Sequence, residues 1–304
     1  MLIYLIYKNK NMLKTLKKNV VNTFGKRGAD WLKNLPSIIK TLQNQWNLQE
    51  IHPINNMSYH FVATAIDSNN RAVVIKVGCD KDLTTNEAKM LKYFKNYGAI
   101  DLFDFSKKNN ALLLKQAIDG KTLKSLYPKH IDFVIDIYAN IIKQIDNNPL
   151  LPASEFQPID LWLKVIDKVS STKIDKKLLE KAIELKSTLL NSMKNPKLLH
   201  GDLHLDNILR NNENWLFIDP KGIVGEIEFE IANFDIFSKS EIKTANSKIF
   251  QERIEKIALK TTKSYQRIRD WIFVRLILSA AWYIESFENP ETELKLANLL
   301  YKIL

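Results

Sequence analysis

His200-Gly-Asp-Leu-His-Leu-Asp-Asn207, followed by Phe217-Ile-Asp-Pro220, is the stretch of the chain that decides its fold. Short apolar runs at 197–199 and 208–209 flank the first segment and predict strands on either side of a polar loop. The second segment ends an apolar run on an acidic residue, Asp219. Carboxylate and amide oxygens are the ligands that Mg²⁺ prefers in proteins. The two segments therefore predict a polar, metal-binding site built on short strands.

The spacing within these segments suits phosphoryl transfer, which depends on positioning and on charge neutralisation. Asp202 and Asn207 are five residues apart, like the base and the metal ligand of the kinase pattern H-R-D-x-x-x-x-N, with Gly201 in place of Arg. We predict Asp202 as the catalytic residue that holds the acceptor hydroxyl, and Asn207 and Asp219 as Mg²⁺ ligands. An Asp beside a His is more often a turn or capping group, but that explanation does not account for the whole set.

Upstream of this region the sequence predicts one long helical segment and then a β-rich section. Apolar residues recur at three- and four-residue steps over 13–50, which predicts helix. Thr84 or Thr85 is the predicted N-cap of a second helix, which carries Glu87. The predicted strands are 60–66, 71–77, 100–105 and 111–116.

Downstream of Gly120 the pattern is almost wholly helical, apart from the strands around the catalytic loop. The predicted helices begin at Asp132, span 159–169, 176–193 and 263–287, and resume after Pro290. With 304 residues, the chain is long enough for two domains. We predict an α+β chain with an extension at 1–11, a β-rich nucleotide-binding lobe at 12–116 and a helical lobe at 117–304 that carries the catalytic, metal and acceptor sites.

Composition excludes several classes of protein. The net charge is +11, but only seven of the 45 basic residues are Arg, which weakens the case for a nucleic-acid partner. The single cysteine, Cys79, cannot form an internal disulfide, which favours a reducing compartment. The longest apolar stretch, 271–284, is shorter than a membrane span and contains Arg275. We expect a cytoplasmic protein with no membrane partner; the sequence does not define an oligomeric state.

Beyond these patterns, the chain resembles the bacterial aminoglycoside phosphotransferases, in their streptomycin and hydroxyurea kinase branch. The resemblance spans most of residues 25–285 and implies a protein-kinase-like fold of two lobes that binds ATP and Mg²⁺ between them. The segments that carry it are His200-Gly-Asp-Leu-His-x-x-Asn-Ile-Leu209, Ile218-Asp-Pro-Lys-Gly222, Gly225-Glu226, Phe229-Glu-Ile-Ala232 and, near the start, Gly25-x-x-Gly28-x-x-Trp31-Leu32 with Leu35-Pro36 and Trp46.

The resemblance also implies roles for residues of the first lobe. Lys76 is similar to the strand lysine that contacts the α- and β-phosphates, and Glu87 to the helix residue that holds this lysine. The connector at 112–117 implies adenine contacts from the backbone of Gln116 and Ala117. The loop expected to cover the phosphates contains no glycine in this chain, which leaves Ser58 as its predicted contact.

For the acceptor, the resemblance implies a hydroxyl of a streptomycin-like, cationic molecule. A chain of net charge +11 would repel such a molecule, so we expect acidic side chains in the cleft that receives it. Two alternatives remain: a kinase of another small metabolite (a sugar, an amino alcohol or a hydroxyurea-like compound), and a nucleotide-binding pseudokinase that serves as a partner platform. The candidate acceptor carboxylates are Glu226, Glu228, Glu230, Asp160, Glu285 and Glu288.

Overall fold

The computed structural model describes residues 13–55, 57–149, 155–170 and 173–304, so the extension predicted at 1–11 lies outside the described residues. The chain divides into two compact units. Unit 1 runs to Lys95 and includes Ala99–Gly120, while unit 2 consists of Asn96–Gly98 and Lys121–Leu304. The boundary predicted after Gln116 lies inside unit 1. No helix in the described ranges is long and apolar enough to cross a membrane.

Unit 1 opens with helix α1 (Lys14–Gln45), which is interrupted at Gly25, where φ is 55°. Leu35, Ile39 and Leu42 follow the helical repeat and are buried in the core of the unit. The prediction placed the end of this helix at residue 50. It is wrong by five residues because Gln49–Pro53 pairs as a strand with 60–66.

The sheet of unit 1 has five antiparallel strands in the order β1-β2-β3-β5-β4. Side chains of β2 alternate between buried and half-buried, which is typical of a strand with one face on the core. The central strand, β3, carries Lys76 opposite Val62 and Leu112. The strands are β1 (Gln49–Pro53), β2 (His60–Ile66), β3 (Ala72–Gly78), β4 (Leu102–Ser106) and β5 (Ala111–Lys115).

Helix α2 (Lys81–Tyr93) begins earlier than predicted. Asp80 is its N-cap and accepts hydrogen bonds from the amides of Asp82 and Leu83, both at 3.0 Å. The predicted cap at Thr84 or Thr85 is therefore wrong: Thr84 lies inside the first turns and donates its hydroxyl to the Asp80 carbonyl. This start keeps Glu87 on the buried face of the helix.

Two small three-stranded sheets, in the orders β10-β9-β6 and β7-β11-β8, are built mainly from strands of unit 2. The predicted catalytic loop connects β8 to β9, and the Asp-Pro-Lys-Gly segment connects β10 to β11. Each loop therefore crosses from one sheet to the other, because β8 pairs with β11 and β9 pairs with β10. The strands are β6 (Asp119–Thr122), β7 (Gln157–Pro158), β8 (Lys197–Leu199), β9 (Ile208–Asn211), β10 (Asn214–Phe217) and β11 (Ile223–Gly225).

The other long elements described in unit 2 are helices, and the predicted helices are present with ends shifted by a few residues. The long helix α8 contacts five other helices of the unit and is buried along most of its length, so it is the helix around which the unit packs. The helices are α3 (Ile131–Asp146), α4 (Ile159–Lys168), α5 (Lys176–Asn191), α6 (Ile227–Ile231), α7 (Ser247–Thr261), α8 (Tyr265–Glu285) and α9 (Glu291–Tyr301).

Candidate active site

His200 ties the two polar segments of unit 2 together. Its Nδ1 accepts a hydrogen bond from the amide of Asp202 at 3.1 Å, so its Nε2 carries the proton that is donated to the carbonyl of Ile218 at 2.8 Å. The ring is fully buried, and this burial lowers the pKa of His200 to about 4. The histidine is therefore a neutral bridge between the catalytic loop and the end of β10.

The backbone conformation at residue 201 explains why a glycine stands where the kinase pattern has an arginine. Its φ of +85° lies in the region that residues with a side chain rarely adopt. A Cβ atom at this position would stand 3.2 Å from the Trp162 ring and 3.3 Å from Ile223. The backbone turn that presents Asp202 therefore needs a glycine.

Glu230 holds this loop from below. It is fully buried, and its carboxylate accepts hydrogen bonds from the Gly201 amide and from the Asn233 side chain, both at 2.8 Å. Burial raises the pKa of Glu230 to about 7, against the opposing effect of these bonds and of Arg275. The predicted contact between Glu230 and the acceptor is therefore wrong, because the side chain is enclosed and engaged with the loop backbone.

Glu226 is likewise not an acceptor contact. Its buried carboxylate accepts two hydrogen bonds from Nε of Arg267, at 2.7 and 2.8 Å, and one from the indole of Trp271. Both partners lie on α8, so Glu226 fastens the start of α6 to the central helix. Glu228 follows it in the same helix, where burial raises the pKa of its carboxyl.

Asp202 stands at the accessible end of the loop, with 34% of its side chain exposed. Its backbone carbonyl accepts a hydrogen bond from the side-chain amide nitrogen of Asn207 at 2.9 Å. Its carboxylate lies 3.8 Å from the ammonium group of Lys221. The arrangement presents a carboxylate oxygen next to a positive charge, which suits a group that receives a hydroxyl and faces a phosphate.

The predicted metal ligands, Asn207 and Asp219, are brought together by the backbone. The Ile218 amide donates to the Asn207 carbonyl at 2.9 Å, which sets Asp219 one residue beyond this contact. Because the Asn207 amide nitrogen is held by Asp202, its side-chain oxygen points away from that bond. Asp219 has a φ of 61°, a backbone conformation that is uncommon outside glycine and that clusters at functional sites. The oxygen donors of the pair fit Mg²⁺.

In unit 1, Lys76 and Glu87 form a buried ion pair. The ammonium nitrogen lies 2.8 Å from each carboxylate oxygen, and the two residues are 4% and 6% exposed. A buried ammonium without a partner is strongly unfavourable, so Glu87 fixes where Lys76 can stand. The structure thus joins the two residues that the sequence predicted as partners.

The other predicted nucleotide contacts of unit 1, which are Gln116, Ala117 and Ser58, lie in different surroundings. Gln116 donates its backbone amide to the Ala72 carbonyl at 3.1 Å, so the predicted adenine contact of Gln116 would have to come from its backbone carbonyl. Ala117 is buried and directly follows it. Ser58 is exposed between β1 and β2, next to the segment at Asn56, which lies outside the described residues.

A cavity of about 800 Å³ in unit 2 contains Asp202 in its wall. The wall of this cavity contains acidic side chains, as expected of the acceptor cleft, but the described residues that line it include as many cations as carboxylates, and Lys124 pairs with Asp235 at 2.7 Å. The carboxylates are Asp202, Asp235, Glu288 and Glu293, and the cations are Lys124, Lys239, Lys243 and Arg275.

The remaining predicted acceptor carboxylates differ in whether they line this cavity. Glu288 lines the cavity, whereas Glu285 is exposed and is not among its described lining residues. Asp160 lies in the first turn of α4, and its Oδ1 atom is buried with no hydrogen-bond partner in the described parts of the chain. Asp160, like Glu285, is not among the described lining residues, so Glu288 is the predicted carboxylate of these three that lines the cavity.

Sequence reasoning missed two charged residues beside the catalytic loop. Lys221 belongs to the Asp-Pro-Lys-Gly segment, but nothing in the sequence places it beside Asp202. Arg275 lies on α8, and its Nη2 is 3.4 Å from the Gly201 carbonyl. A signal for Arg275 did exist, because it is the one charge that interrupts the apolar stretch 271–284 before Glu285. A charge kept within a buried helix points to a polar partner.

Fold and site together define a kinase of protein-kinase-like architecture that acts on small molecules. Residues 45–286 match the family described as aminoglycoside/hydroxyurea antibiotic resistance kinase, and the chain belongs to this family. It is accordingly a phosphotransferase with an alcohol group as acceptor.

Individual relatives agree with this assignment at low identity. Streptomycin 6-kinase of Streptomyces glaucescens is 22% identical over 89% of this chain and 90% of its own length. Hydroxyurea phosphotransferase of Kitasatospora aureofaciens is 21% identical over 91% and 82%, respectively. Among solved structures, a thermostable mutant of aminoglycoside phosphotransferase APH(4)-Ia, in a ternary complex with ADP and hygromycin B, is similar with a TM-score of 0.63 at 12% identity. That match covers 86% of this chain and 97% of the other. The structural likeness supports the two-part kinase fold.

Proposed function

We propose that the protein transfers the γ-phosphoryl group of ATP, with Mg²⁺, to a hydroxyl group of a streptomycin-like aminoglycoside. The observation that carries this proposal is the placement of Asp202: an accessible carboxylate in the wall of a cavity of about 800 Å³, beside Lys221. The family match and the streptomycin 6-kinase of Streptomyces glaucescens support the choice of acceptor.

In this reaction the acceptor oxygen forms a bond to the γ-phosphorus while the bond between that phosphorus and the β–γ bridging oxygen breaks. Asp202 accepts the proton of the hydroxyl and later releases it to solvent. Lys221 lies where it can offset negative charge on the transferred group. ADP is the second product.

Each unit carries its own proposed nucleotide ligands. Lys76, held by Glu87, contacts the α- and β-phosphates, as the buried pair of the kinase pattern does. Asn207 and Asp219 are proposed to hold Mg²⁺, which when bound neutralises charge on the phosphates. Ala117 and Ser58 remain proposed backbone or hydroxyl contacts to the nucleotide.

The acceptor site combines hydrogen-bonding and charged groups. For a cationic aminoglycoside, Glu288 in the cavity wall is the proposed contact. Asp160 has a buried oxygen without a partner in the described residues, but it is not among the described lining residues. The equal number of cations and carboxylates in the cavity wall also supports a second candidate, a neutral polyol such as a sugar. A pseudokinase is the weakest alternative, because Lys76, Asp202, Asn207 and Asp219 are all present.

A coupled assay of ADP release across a panel of acceptors tests the proposal. The panel contains streptomycin, hydroxyurea, a neutral sugar and ethanolamine, each measured with ATP and Mg²⁺. We expect streptomycin to give the highest kcat/KM, and ADP release without acceptor to be slow. Phosphorylation of the acceptor is verified by mass spectrometry. Failure of every acceptor to stimulate ADP release would contradict the kinase proposal, whereas preference for the sugar would favour the second candidate.

A further inference from the structure

The segment that connects α6 to α7, residues 232–246, forms one wall of the cavity that contains Asp202; we call this segment the acceptor wall. Every residue from 232 to 237 lines the cavity, and so do Lys239, Ile242 and Lys243. The structure describes the whole segment, and it contains neither helix nor strand. Side chains of other elements must therefore fix its conformation.

Arg253, on α7, makes the largest set of these contacts. Its Nη1 atom donates a hydrogen bond to the carbonyl oxygen of Ile236, and its Nη2 atom donates one to Glu241 at 2.6 Å. Its guanidinium carbon lies 5.1 Å from the ring centre of Phe237. The side chain is only 13% exposed. One planar, forked group thus binds three residues of the acceptor wall.

Tyr127 joins the same cluster from outside the wall. Its hydroxyl accepts a hydrogen bond from Arg253 at 2.8 Å and donates one to the Ile236 carbonyl at 2.6 Å. Burial raises the pKa of Tyr127, so the hydroxyl keeps the proton that it donates. The Ile236 carbonyl is therefore held by two donors from two different elements.

Glu241 closes the cluster within the wall. Its carboxylate accepts hydrogen bonds from the amide and the hydroxyl of Ser238, at 2.9 and 2.8 Å. Burial alone would raise the pKa of Glu241, but the bonds from Arg253 and Ser238 outweigh it and lower this pKa. Glu241 is therefore ionised at neutral pH and pairs with the guanidinium group.

Arg253, Tyr127 and Glu241 are not among the described residues that line the cavity, so they act on an acceptor through the wall. We propose that Arg253 is a positioning residue, which holds the acceptor wall in one conformation before the acceptor binds. A preformed wall strengthens binding, because side chains and loops need not be ordered at that step. This inference rests on the proposed function and names a residue that shapes its acceptor site.

The test uses the full chain with Arg253 altered. Arg253→Met keeps the length of the side chain and removes its donors, whereas Arg253→Lys keeps the charge without the fork. Arg269→Met is the matched control. Arg269 is 12% exposed and bonds to Asp270 and to the Ile303 carbonyl, but it is not among the described lining residues. Melting temperatures verify that each variant is folded.

The first measurement separates the acceptor KM from kcat and from nucleotide affinity. It uses the acceptor of the panel with the highest kcat/KM, which we expect to be streptomycin, and calorimetry with ATP and Mg²⁺. Arg253→Met should raise the acceptor KM about 10-fold, equivalent to ordering one or two more side chains on binding. Both kcat and ATP affinity should stay within about threefold of the parent. Arg253→Lys should give an intermediate KM, and Arg269→Met a parental one.

The second measurement is hydrogen–deuterium exchange of the free protein, followed by mass spectrometry, which needs no acceptor. Amides of residues 232–246 should exchange about 10-fold faster in Arg253→Met, because the segment opens locally at a lower free energy. Arg269→Met should leave the exchange of this segment unchanged. Tyr127→Phe, which removes one of the two donors to Ile236, and Arg253→Lys decide the question if Arg253→Met does not fold.

Parental exchange in residues 232–246, or a parental acceptor KM, in folded Arg253→Met would overturn the inference while the proposed kinase activity stands. An equal rise in KM in Arg253→Met and Arg269→Met would indicate a merely structural role and would also overturn it. If no acceptor stimulates ADP release by the parent enzyme, the proposed function fails, and the role of Arg253 toward an acceptor fails with it.

Discussion

The buried pair of Lys76 and Glu87 allows the stability of unit 1 to be separated from its proposed nucleotide function. Glu87→Leu leaves the Lys76 ammonium buried without its partner, since the two residues are only 4% and 6% exposed. Breaking one partner of such a pair typically costs about 3–5 kcal/mol. Replacement of both charges, in Lys76→Met with Glu87→Leu, removes the unpaired group and should recover most of that stability.

Urea unfolding of the full chain measures the stability lost in Glu87→Leu and recovered in the double variant. A loss of about 3–5 kcal/mol moves the urea midpoint down by about 1–5 M for slopes of about 1–3 kcal/mol/M. The matched control is Lys115→Met on β5, whose ion pair with Asp101 is longer, at 3.6 Å, and about 40% exposed on both sides. Because exposed pairs contribute about 0–1 kcal/mol, this variant should unfold close to the parent protein.

Calorimetry with ATP and Mg²⁺ measures the effect of the double variant on nucleotide affinity. The double variant should be stable yet bind nucleotide about 10- to 100-fold more weakly, because the charge-assisted bond from Lys76 to the phosphates is lost. Lys115→Met should bind ATP like the parent. A stable double variant with parental affinity would refute the assignment of Lys76 as a phosphate contact.

Three further predictions concern unit 2. The pKa of His200 is about 4 in the folded chain against 6.5 when unfolded, so its neutral form contributes stability above pH 6.5. That contribution, about 3 kcal/mol, is lost as the pH falls from 6.5 to 4. His200→Asn should therefore flatten the pH dependence of the free energy of unfolding between these pH values. An unchanged dependence would contradict the role given to His200. Gly201→Ala should lower both the melting temperature and kcat, because φ is +85° and the new Cβ meets Trp162; parental values for both would refute the steric argument. Glu288→Gln should raise the streptomycin KM more than it lowers kcat, and the rise in KM should be largest at low salt. The control Glu285→Gln, at an exposed position, should change both constants little. Equal effects of the two variants would remove Glu288 from the acceptor site.

Much of the fold was predictable because its signals are local. The hairpin of β2 and β3 has strands of alternating residues around a polar turn, and Lys76 and Glu87 sit on a strand and the helix that follows it. The catalytic loop was predictable for the same reason, since Asp202 and Asn207 are five residues apart between apolar runs.

The errors arose where distant residues decide the outcome. Glu226 looked like an exposed carboxylate near the site, but its partner Arg267 is 41 residues away on another helix. Glu230 is enclosed by the loop whose Gly201 amide it binds. The partly buried position of Arg275 behind Gly201 depends on how α8 packs, which periodicity alone does not determine.

The central claim, that Asp202 receives the hydroxyl proton during phosphoryl transfer, is tested most directly by Asp202→Asn. The substitution keeps the size of the side chain and its place in the cavity wall but removes the base. The measurement is kcat for streptomycin phosphorylation alongside the calorimetric affinity for ATP and Mg²⁺. We predict a fall in kcat of about 10²–10⁴-fold with nucleotide affinity within about twofold of the parent. A variant that retains near-parental kcat would contradict the account.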